Sequence, residues 1–463
     1  MLTLRRIVFY LFAVIYLCVC PVTILYALGY VVAPGAVHSM QKTGLIALAT
    51  APPGATVYVG GRRHSDTTPT VIRGLLPGAY ELRLMLTDHR SWERMVPVRV
   101  EKATVLEKIV LLPGEPRPQE MAQGSFTELV PVPGTRFLLL MAGRSLERVM
   151  VYDRDTGDSW PLIPSASSFA GGQIARHVTL KESPFVVCQA TFPAGSKWLG
   201  IELGKGRARL TDLTGLFAGS PQQVTWDPRA AHQIFALRDD GVDRLETDGM
   251  ALYPQIAARV RGLGVHDGAL YLVREDGLLQ RTDADGTHAE HLAMDPALQR
   301  MLAAARGPLQ VTELPSHLLV ILSADGELLL NRLPYRMGSA VRGFELDADR
   351  NRLLFWRKDR IGILDLSEPT LHVRWALQDG HDIAQVFWAY DSSHLLIRDG
   401  ATVSLLEAET YGPPAPAEVA RVRDGAAVAY VDGTGRLYYL DAAAGHLQML
   451  EIIPAKESRF MHR

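Results

Sequence analysis

Asp267-Gly268-Ala269-Leu270-Tyr271-Leu272-Val273, within residues 262–281, joins an Asp/Gly turn directly to a strongly apolar run. The same theme recurs: an extended run, an Asp/Gly turn, an apolar run, a second turn and another alternating strand. It returns at 224–245, 311–333, 341–366, 383–407 and 419–441, with weaker versions at 129–162 and about 177–212. Starts at 224, 262, 311, 341, 383 and 419 lie 38, 49, 30, 42 and 36 residues apart, and a four-stranded propeller blade repeats at an interval of ~40 residues. Eight units therefore fill residues 126–453. The expected fold is an eight-bladed β-propeller, with seven blades as the alternative because the first two units are poorly defined.

The 49-residue interval contains Asp295-Pro296 and Gly307-Pro308 around residues 297–306. Asp at the N-cap, Pro in the first turn and Gly just past the end bracket a short helix. Such an insert offers a partner surface, or packs back on the propeller through Leu298, Met301 and Leu302. Six tryptophans, Trp160, Trp198, Trp226, Trp356, Trp375 and Trp388, read as core anchors scattered one to a blade.

Val386-Phe387-Trp388-Ala389-Tyr390-Asp391-Ser392-Ser393-His394-Leu395-Leu396-Ile397 is similar to the Trp-x-Pro-Asp-Gly-x-x-Leu hairpin of Tol-associated and YVTN-type propellers. Val151-Tyr152-Asp153-Arg154-Asp155-Thr156-Gly157 and Tyr438-Tyr439-Leu440-Asp441-Ala442 resemble the strand-and-turn ends of such blades. The resemblance implies a fold and no particular activity, since propellers host binders and enzymes alike.

Ahead of the repeats, residues 44–112 alternate short β-type runs (45–50, 55–59, 80–86, 96–100 and 105–111) with Gly/Pro turns. Tyr80, Leu82 and Leu84 share one face by period-two alternation. This describes a small antiparallel β-sandwich, near the lower size limit for independent folding. Pro52-Pro53-Gly54-Ala55-Thr56-Val57-Tyr58-Val59-Gly60-Gly61, then Thr68-Pro69, then Leu76-Pro77-Gly78-Ala79-Tyr80 resemble the PEGA domain family, with Pro53 in place of the Glu of its Pro-Glu-Gly-Ala turn. The resemblance implies bacterial or archaeal envelope proteins in which such modules act as spacers or wall-associated units, and it implies no catalysis. Gly54 and Gly60-Gly61 suit tight hairpins, and Pro77-Gly78 suits the centre of a type II turn. Residues 113–125, with Pro113, Pro116 and Pro118, read as a stiff Pro-rich linker.

Residues 7–32 hold no Asp, Glu, Lys or Arg and follow Arg5 and Arg6 directly. At ~1.5 Å per residue they exceed the ~30 Å hydrocarbon core, which predicts a transmembrane helix. The positive-inside rule keeps residues 1–6 in the cytoplasm and sends the remainder to the periplasm or outside the cell. A cleaved signal peptide ending near Ala33 and Gly35 is the alternative, against which stands a run far longer than the usual ~7–15 apolar residues. Pro21 breaks the pattern in mid-span. Val19 before Cys20 excludes a lipoprotein cleavage site. Residues 454–463 read as a C-terminal tail.

A formal net charge of −2 and 21% charged residues exclude a polyanion binder, so no nucleic-acid partner is expected. Cys18 and Cys20 lie in the apolar segment, leaving Cys188 alone outside it, so the ectodomain has no internal disulfide and must be held together by burial. Cys188, which ends the run Phe185-Val186-Val187-Cys188, reads as a small buried hydrophobe.

Catalytic spacings are absent. No Gly-x-Ser-x-Gly elbow occurs. Asp347, Asp349 and Asn351 imitate the opening of a calcium loop, but Arg352 and Lys358 stand where Gly and Glu are required. Asp283-Ala284-Asp285-Gly286-Thr287 reads as a turn. His288 and His291 point to opposite faces if they lie on a strand, so they do not form a zinc pair. No catalytic, cofactor-binding or metal-binding residue is therefore assigned, and no cofactor is expected. The reading is a membrane-anchored, extracytoplasmic all-β scaffold presenting its propeller to protein or cell-wall glycan. A propeller lyase or glycosidase acting on envelope polysaccharide is the alternative, favoured if acidic and aromatic side chains converge on the central channel.

Overall fold

The computed structural model describes residues 2–27, 30–32, 40–164, 167–217, 219–314, 318–331, 335–368, 370–408 and 415–453. The expected tail, 454–463, lies outside them. One long helix, α1 (Leu2–Ala27), opens the chain and carries Pro21 in its interior. Its window Val8–Leu25 has none of its length buried against the rest of the molecule, which removes a core-helix reading; by length and composition it is a membrane span or a signal sequence. The helix begins before residue 7, taking in Arg5 and Arg6, and stops at Ala27, short of the end of the apolar run.

Two sheets face each other in the small sandwich. Gly44–Ala51 lies between Thr70–Leu75, antiparallel, and Ala103–Val110, parallel. The opposing four-stranded sheet runs Arg62–Thr67, Thr56–Val59, Gly78–Met85, Trp92–Val98. Ile46, Val57, Leu82, Leu84 and Val96 meet between the sheets with no exposed surface. The strand Arg62–Thr67 escapes hydrophobic patterning because it is a polar edge strand, exposed along nearly its whole length. Gly60 and Gly61, both at positive φ (53° and 76°), make the two-residue hairpin that pairs Val59 with Arg62. The expected type II turn at Pro77-Gly78 does not form: Gly78 lacks a positive φ and already pairs with Val98, opening its strand. Thr68, 2% exposed, joins its hydroxyl to that of Thr50 at 2.6 Å and accepts the Ala55 amide at 3.0 Å. That network ties the two signature turns together.

Four-stranded antiparallel units then follow one another at 128–161, 173–212, 223–258, 260–291, 309–338, 343–377 and 383–421. An eighth combines Ala429–Val431, Arg436–Leu440 and Leu447–Glu451 with Gln119–Ala122 as its fourth strand. This is a β-propeller in which first strands form the inner wall: Val260–His266 lies against Gln223–Trp226, and Ile383–Ala389 against Gly343–Asp347. The repeat expected at 419–441 is out of phase. Ala417–Arg421 is the outer strand of the seventh unit, and the eighth starts ten residues later, since alternation alone does not distinguish an outer strand from the next inner one. Within the proline-spaced segment 113–125, Gln119–Ala122 pairs antiparallel with Leu447–Glu451 and closes the ring.

The tryptophans are not one to a blade: Trp356 and Trp375 share the sixth unit. Trp226 is buried and donates to the Ser183 hydroxyl at 2.9 Å. Helix α2 (Pro296–Ala304) is capped by Asp295, which accepts the Ala297 amide at 2.6 Å. Leu298 and Leu302 are fully buried, so the insert packs back between the fourth and fifth units. Burial pushes the Cys188 thiol up to about 12, leaving it a protonated core side chain.

Candidate functional site

Strands alternate direction within a unit, so first-to-second and third-to-fourth turns share one face of the ring. Second-to-third turns and the links between units share the other. The sandwich docks on the former. Trp92 donates its indole N–H to Glu407 at 2.5 Å, Arg94 approaches the same carboxylate at 3.6 Å, and Arg90 donates to the Glu418 carbonyl at 2.7 Å. Lys108 meets Asp391 at 3.5 Å. Val110 and Leu112 enter the apolar cluster of the seventh and eighth units, with Ala389, Leu396, Leu450 and Ile452. The sandwich and propeller therefore share a core, and the prolines at 113–118 span a short distance along that joint.

At and beside the inner wall, polar side chains stitch the third unit to the fourth, the fourth to the fifth, the sixth to the seventh and the seventh to the eighth. Gln223 donates to the Leu263 carbonyl at 2.9 Å, and Asp227 accepts the Gly268 amide at 2.6 Å. Tyr271 donates to Glu313 at 2.5 Å, and Gln385 accepts the Val428 amide at 2.8 Å. Asp432 accepts the Tyr390 amide at 2.7 Å, and Arg352 donates to the Ser392 carbonyl at 2.5 Å while pairing with Asp347 at 3.0 Å. Tyr390, Asp391 and Ser392 all hold positive φ, near 51–56°. Such a run of non-glycine residues is strained, and it is held by Lys108, Asp432 and Arg352 from three neighbours.

One carboxyl on this wall is electrostatically unusual. Glu345 accepts the Trp388 amide at 3.3 Å, and burial raises its pKa to about 7, with the Asp432 and Asp347 charges adding to the rise and Lys181 opposing it. Asp432 is also raised, by burial, and the phenol of Tyr430, which donates to it at 3.3 Å, is raised by burial and by that carboxylate. Acidic and aromatic groups thus gather on the docked side of the inner wall. Sequence spacing gives no sign of the group because its members come from the second, sixth and eighth units. The one local signal is an acid inside the otherwise apolar run Phe344-Glu345-Leu346.

On the opposite face a cleft of about 400 Å³ is lined by Gln222, Arg238, Asp239, Arg261 and Glu275, with Val260 and Gly307. Arg261 reaches under it to the Ala303 carbonyl at 2.6 Å, fixing the end of α2, and Arg238 is tied to Asp243 at 2.9 Å. Asp239 and Glu275 remain exposed at its mouth. The lining is mixed in charge and holds no aromatic side chain.

The residues weighed as metal ligands lie at strand ends and the turns beside them: Asp347 and Asp283 each close a strand, and His291 closes another. Asp347 is engaged by Arg352, Asp283 bonds His288 at 2.8 Å, and His288 sits at a positive φ outside the short strand Glu290–His291. Among the described residues no three His, Cys, Asp or Glu side chains are grouped to hold a metal.

Residues 43–111 match the PEGA domain family, a match that covers the sandwich alone. Among solved structures, the C-terminal WD40 domain of Sif2 is 13% identical with a TM-score of 0.48, covering 73% of this chain and 99% of that one. The computationally designed Ika8 protein is 13% identical with a TM-score of 0.43, covering 72% of this chain and 100% of that one. No curated protein matches the chain.

Proposed function

We propose that this chain is a non-enzymatic scaffold anchored in the cytoplasmic membrane by α1, N-terminus inside, that holds an eight-bladed propeller outside the cytoplasm for a protein or cell-wall glycan partner. Eight four-stranded units among the described residues support the blade count. The observation that carries the function is the asymmetry of the ring: the PEGA sandwich occupies the face of the first-to-second turns, and the other face is left with a mixed-charge cleft. Loop-borne polar groups on a rigid ring suit recognition of a macromolecule. The PEGA match of residues 43–111, a family whose resemblance implies envelope proteins, fits an envelope setting.

The test is capture by the full chain from gently solubilised membranes, set beside the exposed-site variant D239K/E275K. One identified protein or glycan retained by the parent and lost by the variant supports the reading. Recovery of nothing, while the purified chain cleaves wall polymers, overturns it.

A glycosidase or lyase is the second reading, on the buried carboxyl of Glu345, whose pKa burial raises to about 7, on the same side of the wall as Asp432 and Tyr430. Against it, Glu345 and Asp432 each already accept a backbone amide of the seventh unit. Wall-polymer cleavage abolished by E345Q would establish the enzyme.

A further inference from the structure

The PEGA sandwich has two ends. One carries Trp92, Arg94 and Lys108 into the propeller. The other is assembled from the Gly60-Gly61 hairpin, the bend after Leu75, which pairs with Gly44, and the turn that follows Val98. Glu101 donates its amide to the Thr43 carbonyl at 3.1 Å, and Leu45 donates to the Lys102 carbonyl at 3.3 Å. The 99–102 turn is therefore stapled to the chain as it arrives from α1.

Arg62, Arg63, Arg99 and Lys102 are exposed at this end, and none of them is in an ion pair among the described residues. The acid of the turn, Glu101, is paired with Lys42; Glu81 stands two strands from Arg62, and Asp66 lies three residues beyond Arg63 on its own strand. Val100 stands at the tip of the turn, 45% exposed, between two of the cations. Only the residues between Ala27 and Met40 separate this end from α1.

We infer that this end of the sandwich is a lipid-contacting surface, with Arg62, Arg63, Arg99 and Lys102 on anionic phospholipid headgroups and Val100 dipping between them. The inference rests on the reading of α1 as a membrane span. Cations around an apolar tip match an anionic interface, whose attraction acts over ~10 Å at 0.1 M salt, and the short segment between Ala27 and Met40 tethers them to the bilayer that α1 is read to span. The consequence is orientation: lipid contact at one end and propeller contact at the other set the ring at a fixed attitude to the bilayer, its cleft-bearing face turned away.

The experiment uses the full chain with Cys18 and Cys20 replaced by Ala, an environment-sensitive fluorophore on Val100→Cys, and nanodiscs of phosphatidylcholine with or without phosphatidylglycerol. Expected are a blue shift and quenching by lipid-borne nitroxide in the anionic discs alone. Both are lost at high salt and in the R62E/R63E/R99E/K102E variant, and a label on Ala194→Cys in the opposite face does not respond. A response indifferent to lipid charge, or retained by the charge-reversed variant, overturns the inference, as does a response that an acidic protein or wall polymer elicits and anionic lipid does not. Alkaline extraction separates the two failures. Release of the chain sinks the span and this inference together, whereas a chain that resists extraction but carries a silent label sinks the inference alone.

Discussion

Trp92 and Glu407 lie 315 residues apart in sequence, yet the indole of one donates to the carboxylate of the other at 2.5 Å. Arg94 shares that carboxylate, so removing it leaves two donors partly buried without their acceptor. Glu407→Ala is expected to destabilise the joint by about 1–3 kcal/mol. A double-mutant cycle with Trp92→Phe, read by urea unfolding, checks this, and faster proteolysis at 113–118 accompanies it.

Ring closure rests on the pairing of Gln119 with Met449 and Glu120 with Gln448. Glu120→Pro removes a backbone donor and restricts φ in that strand. The expected result is a broadened unfolding transition and early hydrogen exchange in residues 436–451. An unchanged exchange pattern there contradicts the closure role.

Glu345 and His394 pull stability in opposite directions with pH. The folded pKa of Glu345 is raised to about 7, so its protonated form stabilises at low pH and that contribution is lost as pH rises from about 4.5 through 7. Burial depresses the pKa of His394 to about 4, so its contribution is present above about 6.5 and is lost as pH falls toward 4. The two offset one another between about 4.5 and 6.5. Glu345→Gln is expected to leave a protein stabler at pH 8 by on the order of 2 kcal/mol and more acid-sensitive than its parent. Thermal melts across this range decide it.

Thr68→Val keeps the volume of the side chain and deletes the hydroxyl shared with Thr50 and the Ala55 amide. A loss of about 1–3 kcal/mol is expected in the sandwich, with Thr68→Ser losing less. Denaturation followed by Trp92 fluorescence reports it.

Leu302→Ala opens a cavity beneath α2 and is expected to lose about 2–5 kcal/mol, whereas Asp295→Ala, which removes the cap, loses about 1 kcal/mol. Equal losses from both contradict the packing described for the insert.

Period and turn chemistry made the sandwich, the propeller and the α2 insert legible, because apolar alternation and Gly or Asp at turns are local properties. Four things were not legible from local pattern. Arg62–Thr67 has no apolar face, since an edge strand needs none. The 419 repeat slipped because the outer strand of one blade and the inner strand of the next carry the same alternation. The Glu345, Asp432 and Tyr430 group forms only when distant units meet around the wall, so no spacing in the chain announces it. The joint between sandwich and propeller was hidden likewise: Trp92, Arg94 and Lys108 look like ordinary residues of a half-exposed sheet until Glu407 and Asp391 arrive beside them.

Because the strand Gln119–Ala122 completes the last unit, its partner Leu447–Glu451 leaves the ribosome roughly 325 residues later. At about 5–20 residues per second the nascent chain waits roughly 15–65 s with an open ring and two bare strand edges. The export proposed for this chain would therefore require a holding chaperone, or translocation early enough that closure happens on the far side of the bilayer.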